Sequence, residues 1–459
     1  MPTAAFVTLG CKVNQYETQR IIDRFEERGF AITGASEAAD VYVVNSCSVT
    51  QTAERKSRQI LRRLRRQNPN AIVVMTGCYA EMARIKGDAL NEAALVVPNH
   101  QKMNTLDHLL DHFPHLAPVE PTPPFRSNPI QRTRATVKIQ DGCDVFCSFC
   151  SIPFTRSVLA SRPASEVVRE IEELSAQGYT EVVLTGVLVG SYGPATGSGG
   201  PDLPELLRRI ASIPSIRRIR LSSIEPTQVT PALLNVFAAE PKVCKHLHIP
   251  LQSGDTRILR AMNRPYTRDG YLELCRKALS LIPDLGITTD IMVGFPGEDE
   301  AAFQNTLDVV EQVGFARAHI FRFSPRPGTP AAEMPGMVPD DVKEVRSHRL
   351  ASACSASQYR FIKRFLGRTM DVLVEGKERT GGMPAGYTHN YIRVSLAGGS
   401  HLAGRIVPVR LLEIAGDGAQ GEAVSDAVVG EGALTAPSAP VGAVSEGYIS
   451  SLRAGAASL

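Results

Sequence analysis

Strand-length apolar runs alternate with amphipathic helical stretches in two series along this 459-residue chain, and that alternation constrains the fold more than any other feature. In the first series, apolar runs at 4–10, 41–46 and 71–77 are separated by helical patterns at 14–29 and 52–67. The second spans 133–325, with strand-like runs at 133–142, 180–186, 216–224, 246–253, 287–297 and 316–325. Helical patterns at 164–178, 203–213, 230–240, 268–282 and 299–314 lie between them, and a basic helix at about 339–366 follows. Such alternation predicts α/β architecture, parallel sheets with helices packed on them. About six βα units suffice for an open or partial barrel, with function at the strand C-terminal ends.

Composition shifts divide the chain. Six prolines between 114 and 129 predict a stiff linker over 114–132, separating a domain at 1–113 from one at 133–366. Residues 367–430 are β-rich and punctuated by glycine, the pattern of a small β-barrel. The low-complexity tail at 431–459 reads as disordered. The first twenty residues lack the basic segment and apolar run of a signal peptide. No apolar run reaches the ~18 residues of a membrane span. The expectation is a cytoplasmic protein without a membrane partner. A net charge of +3 does not by itself announce a nucleic-acid partner.

The chain has 9 cysteines, an odd number in a long chain with no sign of secretion, which favours metal binding or catalysis over disulfides. Three of them, Cys143, Cys147 and Cys150, fall within "CDVFCSFC". The C-x3-C-x2-C spacing differs from the paired C-x2-C of zinc sites. A cubane iron–sulfur cluster usually takes four thiolates; three leave one iron open to a substrate or cofactor. A zinc site completed by His248, or chance clustering, remain the alternatives on spacing alone. Cys11, Cys47 and Cys78 each follow one of the first three predicted strands, so a parallel sheet can bring them to one point at its carboxyl edge.

"CDVFCSFC", with Phe149 before the last cysteine, resembles the radical S-adenosylmethionine signature. The resemblance implies that Cys143, Cys147 and Cys150 hold a [4Fe–4S] cluster whose open iron chelates S-adenosylmethionine, which is cleaved to methionine and a 5′-deoxyadenosyl radical. It implies a central partial (β/α)6 barrel of radical type. It further implies cofactor contacts from Phe149, from Gly186 in "LTGVLVGSYG", from Ser222 and Glu225 in "RLSSIEP", from Gln252 in "HIPLQSGD" and from Gly294 in "DIMVGFPGE". Singly, each of these last segments also reads as an ordinary βα turn. Arg264 and Tyr266, in "MNRPYT", resemble a family segment near the active site.

"TLGCKVNQYETQ", "VVNSCSVTQTAERKSRQ" and "MTGCYAE" resemble the N-terminal domain of the methylthiotransferases within that superfamily. This implies that Cys11, Cys47 and Cys78 hold a second [4Fe–4S] cluster able to carry sulfur. Residues 367–430 look like the TRAM-like RNA-binding barrel of the tRNA-modifying members. "LGCKVNQYET", with Lys12 and Val13, is closest to the branch acting on threonylcarbamoyladenosine at tRNA position 37. The branches acting on isopentenyladenosine or on a ribosomal-protein aspartate carry different text there. Ser46 departs from the family's usual threonine. The implied reaction inserts a methylthio group at carbon 2 of the adenine, using two molecules of S-adenosylmethionine. It needs a sulfur donor and an electron donor such as flavodoxin or ferredoxin. A non-catalytic iron–sulfur RNA-binding redox sensor is the alternative of another class.

Arg55, Lys56, Arg58, Arg62, Arg63, Arg65 and Arg66 on the helix at 51–67, and the basic stretch 360–368, fit phosphate contacts or simply solvated helix faces. Tyr387, Tyr391 and Arg393 fit contacts with RNA bases and backbone, or core packing. Cys244, Cys275 and Cys354 read as structural.

Overall fold

Five parallel strands form the first sheet, in the order β2-β1-β3-β4-β5. They are β1 Thr3–Thr8, β2 Ala31–Thr33, β3 Val41–Ser46, β4 Ile72–Gly77 and β5 Leu95–Val96, with helices α1 Lys12–Glu27, α2 Gln51–Gln67, α3 Cys78–Lys86 and α4 Thr105–His112. Alternate strand residues serve opposite faces. Phe6, Val41 and Val43 pack with Ile21, Ile22 and Phe25, while Val7, Tyr42 and Val44 pack with Leu61 and Leu64. Both faces are covered by helices, which is why the strands are nearly continuous in apolar residues. Burying each such side chain contributes about 1.5–3 kcal/mol. The edge strands β2 and β5, at three and two residues, are too short to leave an apolar signature.

This computed structural model describes residues 1–48, 51–117, 133–194, 200–375, 383–397 and 399–424. The linker from 118 to 132 and the tail at 431–459 lie outside the described residues.

The second α/β unit contains β6 Ala135–Lys138, then a short antiparallel pair, β7 Gln140–Asp141 and β8 Ala160–Ser161, flanking the one-turn helix α5 Ile152–Thr155. There follow α6 Ala164–Ala176, β9 Glu181–Thr185, α7 Leu203–Ala211, β10 Arg218–Leu221, α8 Pro231–Ala239, β11 His246–His248, α9 Thr256–Ala261, α10 Arg268–Leu281, β12 Gly286–Val293, α11 Glu300–Val313, β13 Arg317–Arg322 and α12 Asp340–Lys363. Two parallel three-stranded sheets, β10-β9-β6 and β11-β12-β13, are joined by the bridges Ile219–Val243 and Ser223–His248. The six strands thus run in sequence order around a partial barrel. One residue parity, with Leu184, Ile219, Leu247, Ile287 and Ile291, faces the helices and forms the main core. The other parity carries Glu181, Arg218, Arg220, His246, His248, Thr288, Asp290 and His319, which gives the barrel a polar lumen.

Five strands, β14 Thr369–Val374, β15 Ala385–Thr388, β16 Arg393–Leu396, β17 Ile406–Ala415 and β18 Gly418–Ala423, close into a barrel in the order β14-β15-β16-β18-β17. The β15–β16 turn packs against the end of the lumen where the strands of the second α/β unit begin. Arg218 donates to the carbonyls of Tyr387 (3.1 Å) and Asp371 (2.6 Å), and Arg220 donates to that of Thr388 (3.2 Å). Glu181 lies beneath. Burial alone would raise its pKa, yet Arg220, Arg134 and Arg218 hold it down at about 2.

Candidate functional site

The loop carrying Cys143, Cys147 and Cys150 runs between β7 and α5, and its backbone is pinned on both sides. Cys143 N–H donates to the Arg156 carbonyl (3.2 Å), Ser148 N–H to that of Met262 (3.0 Å), and Ala331 N–H to that of Ser148 (2.8 Å). Gly142 opens the loop at φ +82°, where a Cβ would lie 2.2 Å from the Val158 carbonyl oxygen. Phe146, Asn263 and Gln252 also have positive φ. In non-glycine residues such strain persists only where the surroundings impose it, typically at functional sites. Asn263 imposes it directly, donating to the Phe146 carbonyl (2.9 Å).

Burial pushes the Cys143 thiol up to about 11 and the Cys150 thiol to about 12. At Cys147 burial also raises the pKa, but Arg264, donating to its Sγ at 3.0 Å, opposes the shift. The same guanidinium forms an ion pair with Glu225 and donates to the Tyr266 hydroxyl (3.2 Å). Tyr266 in turn donates to the Leu251 carbonyl (2.9 Å). Glu225, Arg264 and the cysteine loop therefore form one unit. Beside it, at the end of β10, the Ser222 hydroxyl is buried without a hydrogen-bond partner. An orphaned polar group of this kind fits a ligand bearing hydroxyls.

The other anticipated contacts are distributed differently. Gly186 lies against Gln140, whose Oε1 accepts from Leu188 N–H (2.7 Å) and ties the β9 loop to the cysteine loop. Gln252 hooks onto β12, its N–H donating to the Asp290 carbonyl (2.9 Å). Phe149 packs on Phe295, ring centroids 6.4 Å apart, in a small satellite core, and so anchors the loop. Gly294, at φ +73°, faces Lys343 of α12, where a Cβ would collide with the lysine stem.

Cys11, Cys47 and Cys78 converge at the carboxyl edge of the first sheet. Cys11 is the N-cap of α1, Cys47 follows β3 and Cys78 begins α3. A Cβ on Gly10 (φ +99°) would lie 2.7 Å from Cys47 Sγ. Burial raises the Cys11 thiol pKa, Arg156 opposes the shift, and the nearby Cys78 adds to it. Ser46 ties the strands together, donating to the Thr76 carbonyl (2.5 Å) and accepting from Ala80 N–H (3.1 Å).

The two cysteine groups face one another. Ser48, just past Cys47, and Ser151, just past Cys150, are both buried, with hydroxyl oxygens 3.5 Å apart. A buried charge network clamps the same seam. Glu17 of α1 pairs with Lys102 (2.7 Å), Lys138 (2.6 Å) and Arg156 (2.7 Å), and Arg156 also pairs with Asp141 (2.7 Å). Burial would raise the Glu17 pKa, but these three cations hold it well below the usual carboxylate range. None of these residues is marked out by a local motif. Only contact across 139 residues of chain between Glu17 and Arg156 reveals their role.

The lumen also holds groups without a motif. Thr288 Oγ1 lies 2.9 Å from both His246 Nε2 and His248 Nδ1, and Asp290 pairs with His248 at 3.2 Å. The sequence signal for them is alternation: Arg218/Arg220 and His246/His248 put polar groups on one face of strands whose other face is core. His248 is thus engaged away from the cysteines, and among the described residues no three His, Cys, Asp or Glu side chains converge on a single metal ion. A cubane distributes its thiolates over separate irons, and the three-thiol donor sets fit it.

Of the two readings of Tyr387, Tyr391 and Arg393, RNA contact or core packing, the structure shows packing contacts. Tyr387 stacks on Tyr391 (4.7 Å) and Tyr391 on His246 (4.3 Å), while the Arg134 and Arg220 guanidiniums lie 5.0 Å from the tyrosine rings. Arg393 donates to Ser395 (3.3 Å). These rings are half-buried where the small barrel meets the lumen. On α2, Arg55, Arg58, Arg62 and Arg66 line a shallow surface cleft of about 400 Å³. In the 360–368 stretch, Arg360 pairs with Glu311 (2.6 Å) and Arg368 with Asp284 (2.5 Å). Cys244, Cys275 and Cys354 are buried, the last two in the main core.

Comparison with known proteins gives two family matches: the Radical SAM superfamily over residues 137–310, and Uncharacterized protein family UPF0004 over residues 3–97. The chain is 36% identical to the threonylcarbamoyladenosine tRNA methylthiotransferase MtaB of Bacillus subtilis, covering 90% of this chain and 94% of the relative. Its counterpart in Thermotoga maritima is 37% identical, covering 91% and 96%. The tRNA-2-methylthio-N(6)-dimethylallyladenosine synthase of Akkermansia muciniphila is 35% identical, covering 91% and 97%. Among solved structures, the radical S-adenosylmethionine methyltransferase TsrM of Kitasatospora setae, with tryptophan substrate and an S-adenosylmethionine analogue bound, aligns with a TM-score of 0.53 at 15% identity. That alignment covers 72% of this chain and 75% of TsrM, a likeness of fold.

Proposed function

Because the chain belongs to the radical S-adenosylmethionine tRNA methylthiotransferase family, we propose that it converts threonylcarbamoyladenosine at position 37 of tRNA to its 2-methylthio derivative. In this reading Cys143, Cys147 and Cys150 hold one [4Fe–4S] cluster and Cys11, Cys47 and Cys78 hold a second. The observation that carries it is the approach of two three-thiol sets to one seam, with the buried Ser48 against the buried Ser151. A single redox site needs no second set facing it.

The clusters with S-adenosylmethionine supply radical generation and sulfur, chemistry beyond any side-chain acid or base at an aromatic carbon. The chain's own residues do the positioning. Arg264 and Glu225 fix the cysteine loop, Ser222 offers a hydroxyl to the cofactor, and the seam excludes water. The polar lumen receives the adenine and its side group. The arginine-lined cleft on α2 supplies cations suited to phosphates of the RNA.

Overall identity does not choose between the two tRNA substrates, since relatives named for each stand within two percentage points. The lumen does. Lys12, next to Cys11, lies near enough for its charge to act on Tyr391, His246 and His319. A cation there complements the carboxylate of a threonylcarbamoyl group and has nothing to pair with on a dimethylallyl group.

Mass spectrometry of tRNA nucleosides from cells with and without the gene tests the reading. Loss of 2-methylthio-threonylcarbamoyladenosine, with accumulation of its precursor, is the expected result. Loss of the methylthio-dimethylallyl nucleoside instead would overturn the substrate, and an unchanged profile would overturn tRNA as the target. In the purified enzyme, Lys12→Gln should lower activity on the carboxylate-bearing RNA by about tenfold, the weight of one charge-assisted contact.

A further inference from the structure

A strap crosses the seam between the two cysteine sets. It is the stretch Ser324–Pro330 after β13, with prolines at 325, 327 and 330. Proline fixes φ and limits the alternatives open to the unbound strap. The strap is tied to the cysteine loop by the Ala331 N–H to Ser148 carbonyl bond (2.8 Å), and folded on itself by Thr329, whose hydroxyl donates to the Arg326 carbonyl (2.8 Å). Gly328, at φ +86°, passes close to Lys86 of α3, the helix that Cys78 begins. The strap therefore touches both cysteine-bearing units.

Its one long cation, Arg326, enters the seam. Nη1 donates to Ser151 Oγ at 2.7 Å, and Ser151 Oγ lies within 3.5 Å of Ser48. Cys150 and Cys47 immediately precede those two serines. The Arg326 charge acts on Cys150, on Glu54 of α2 and on Cys47. Glu54 has a buried Oε1 without a hydrogen-bond partner at the same seam. A half-buried guanidinium between two thiolate sets is felt by both, because a partly desolvated seam screens it less than open water does.

We infer that Arg326 is a positioning residue shared by the two clusters, holding them in register through Ser151 and Ser48 and stabilising the reduced form of each with the same positive charge. Each reduction adds one electron to a cluster, supplied from outside by a low-potential one-electron donor, and leaves it one unit more negative. A fixed cation nearby favours that product and raises the potential. The inference rests on the two-cluster reading above.

The test is a potentiometric titration of the reconstituted holoenzyme followed by electron paramagnetic resonance, with iron counted per chain. In the wild type, about eight irons establish two cubanes; about four would overturn the two-cluster reading and this inference with it. In Arg326→Gln with both clusters loaded, both reduction equilibria should fall by about tenfold, ~59 mV for one electron. Arg326→Lys, which keeps the charge, should restore both potentials towards wild type. Full loading with unchanged potentials overturns the inference and leaves the proposed function standing. A shift confined to one cluster overturns it equally. If Arg326→Gln does not load, Arg326→Lys decides: wild-type potentials at both clusters support the shared charge, and shifted ones refute it.

Discussion

The molecule presents the same donor set twice and builds it in two ways. Cys143, Cys147 and Cys150 sit on one loop of eight residues, clamped by its own barrel through Met262, Asn263, Arg264 and Ala331. Cys11, Cys47 and Cys78 come from three strand ends and meet only because the sheet orders β1, β3 and β4 side by side. The loop set is a local device carried by a domain. The scattered set is a property of a sheet's edge, and that sheet docks against the radical domain. The difference teaches where robustness lies. Distortion of the loop affects one set alone, whereas loss of the domain seam separates the sets while leaving each intact.

The largest expected effect breaks the symmetry of the pair outright. Replacing Cys143, Cys147 and Cys150 together by alanine should abolish release of 5′-deoxyadenosine to background. Replacing Cys11, Cys47 and Cys78 should leave that release measurable while abolishing the methylthiolated nucleoside. Chromatography of 5′-deoxyadenosine beside nucleoside mass spectrometry reads both. If the second variant also stops cleaving S-adenosylmethionine, the division of labour between the sets is wrong.

The seam comes next. Glu17 is the hub of three cations and is 2% exposed, as are its partners Lys102 and Arg156 at 3%. Removing one member of a buried ion network costs about 3–5 kcal/mol, because the remaining charges stay buried without compensation. Glu17→Gln should weaken docking of the N-terminal domain by that order. Calorimetry should then show its unfolding moving below that of the radical domain, with iron content of the loop set retained. A single unshifted transition would mean that the network is not what couples the two units. Acid probes the same hub. The folded Glu17 pKa is depressed, so its contribution is complete above the unfolded value of about 4.3 and is lost as pH falls through the folded value. Glu17→Gln should remove that part of the acid sensitivity.

How much of this was legible in the sequence differs between the two sets for the same reason. The loop triad is a short-range pattern whose spacing favoured a cluster and left a zinc site completed by His248 as the alternative. The scattered triad was legible only through topology: strand-helix alternation, then the rule that parallel strands present their ends together. The clamp was not legible. Glu17 in "NQYETQR" reads as a polar helix position, and nothing local distinguishes it from the exposed Glu27 on the same helix. Its partners at 102, 138 and 156 belong to other elements, so its burial is a tertiary fact. Tyr387 and Tyr391 show the converse limit. An aromatic pair beside an arginine has one sequence signature whether it faces RNA or a neighbouring domain, and here Arg218, Arg220 and His246 on the barrel lumen capture it. Of the five described non-glycine residues with positive φ, Asp284 and Tyr391 lie at this second interface, where the small barrel is fitted onto the first.

The smallest effect is the sharpest test of local against distributed construction. Gly142 and Gly10 play matching parts, each at a positive φ beside one cysteine set. A side chain at either costs about 1–2 kcal/mol for the left-handed backbone, and the contacts add to it. At Gly142 the added Cβ meets backbone, the Val158 carbonyl at 2.2 Å, which cannot turn aside. At Gly10 it meets Cys47 Sγ at 2.7 Å, a side chain that can rotate but only by turning away from Cys11 and Cys78. Gly142→Ala should therefore destabilise the loop and lower iron at the first set with little change at the second. Gly10→Ala should keep the fold and lose iron selectively from the scattered set. Iron content and the electron paramagnetic resonance of each cluster distinguish these outcomes. Equal loss at both sets in either variant would mean that the seam transmits strain between them, and the contrast between a self-contained loop and a sheet edge would no longer hold.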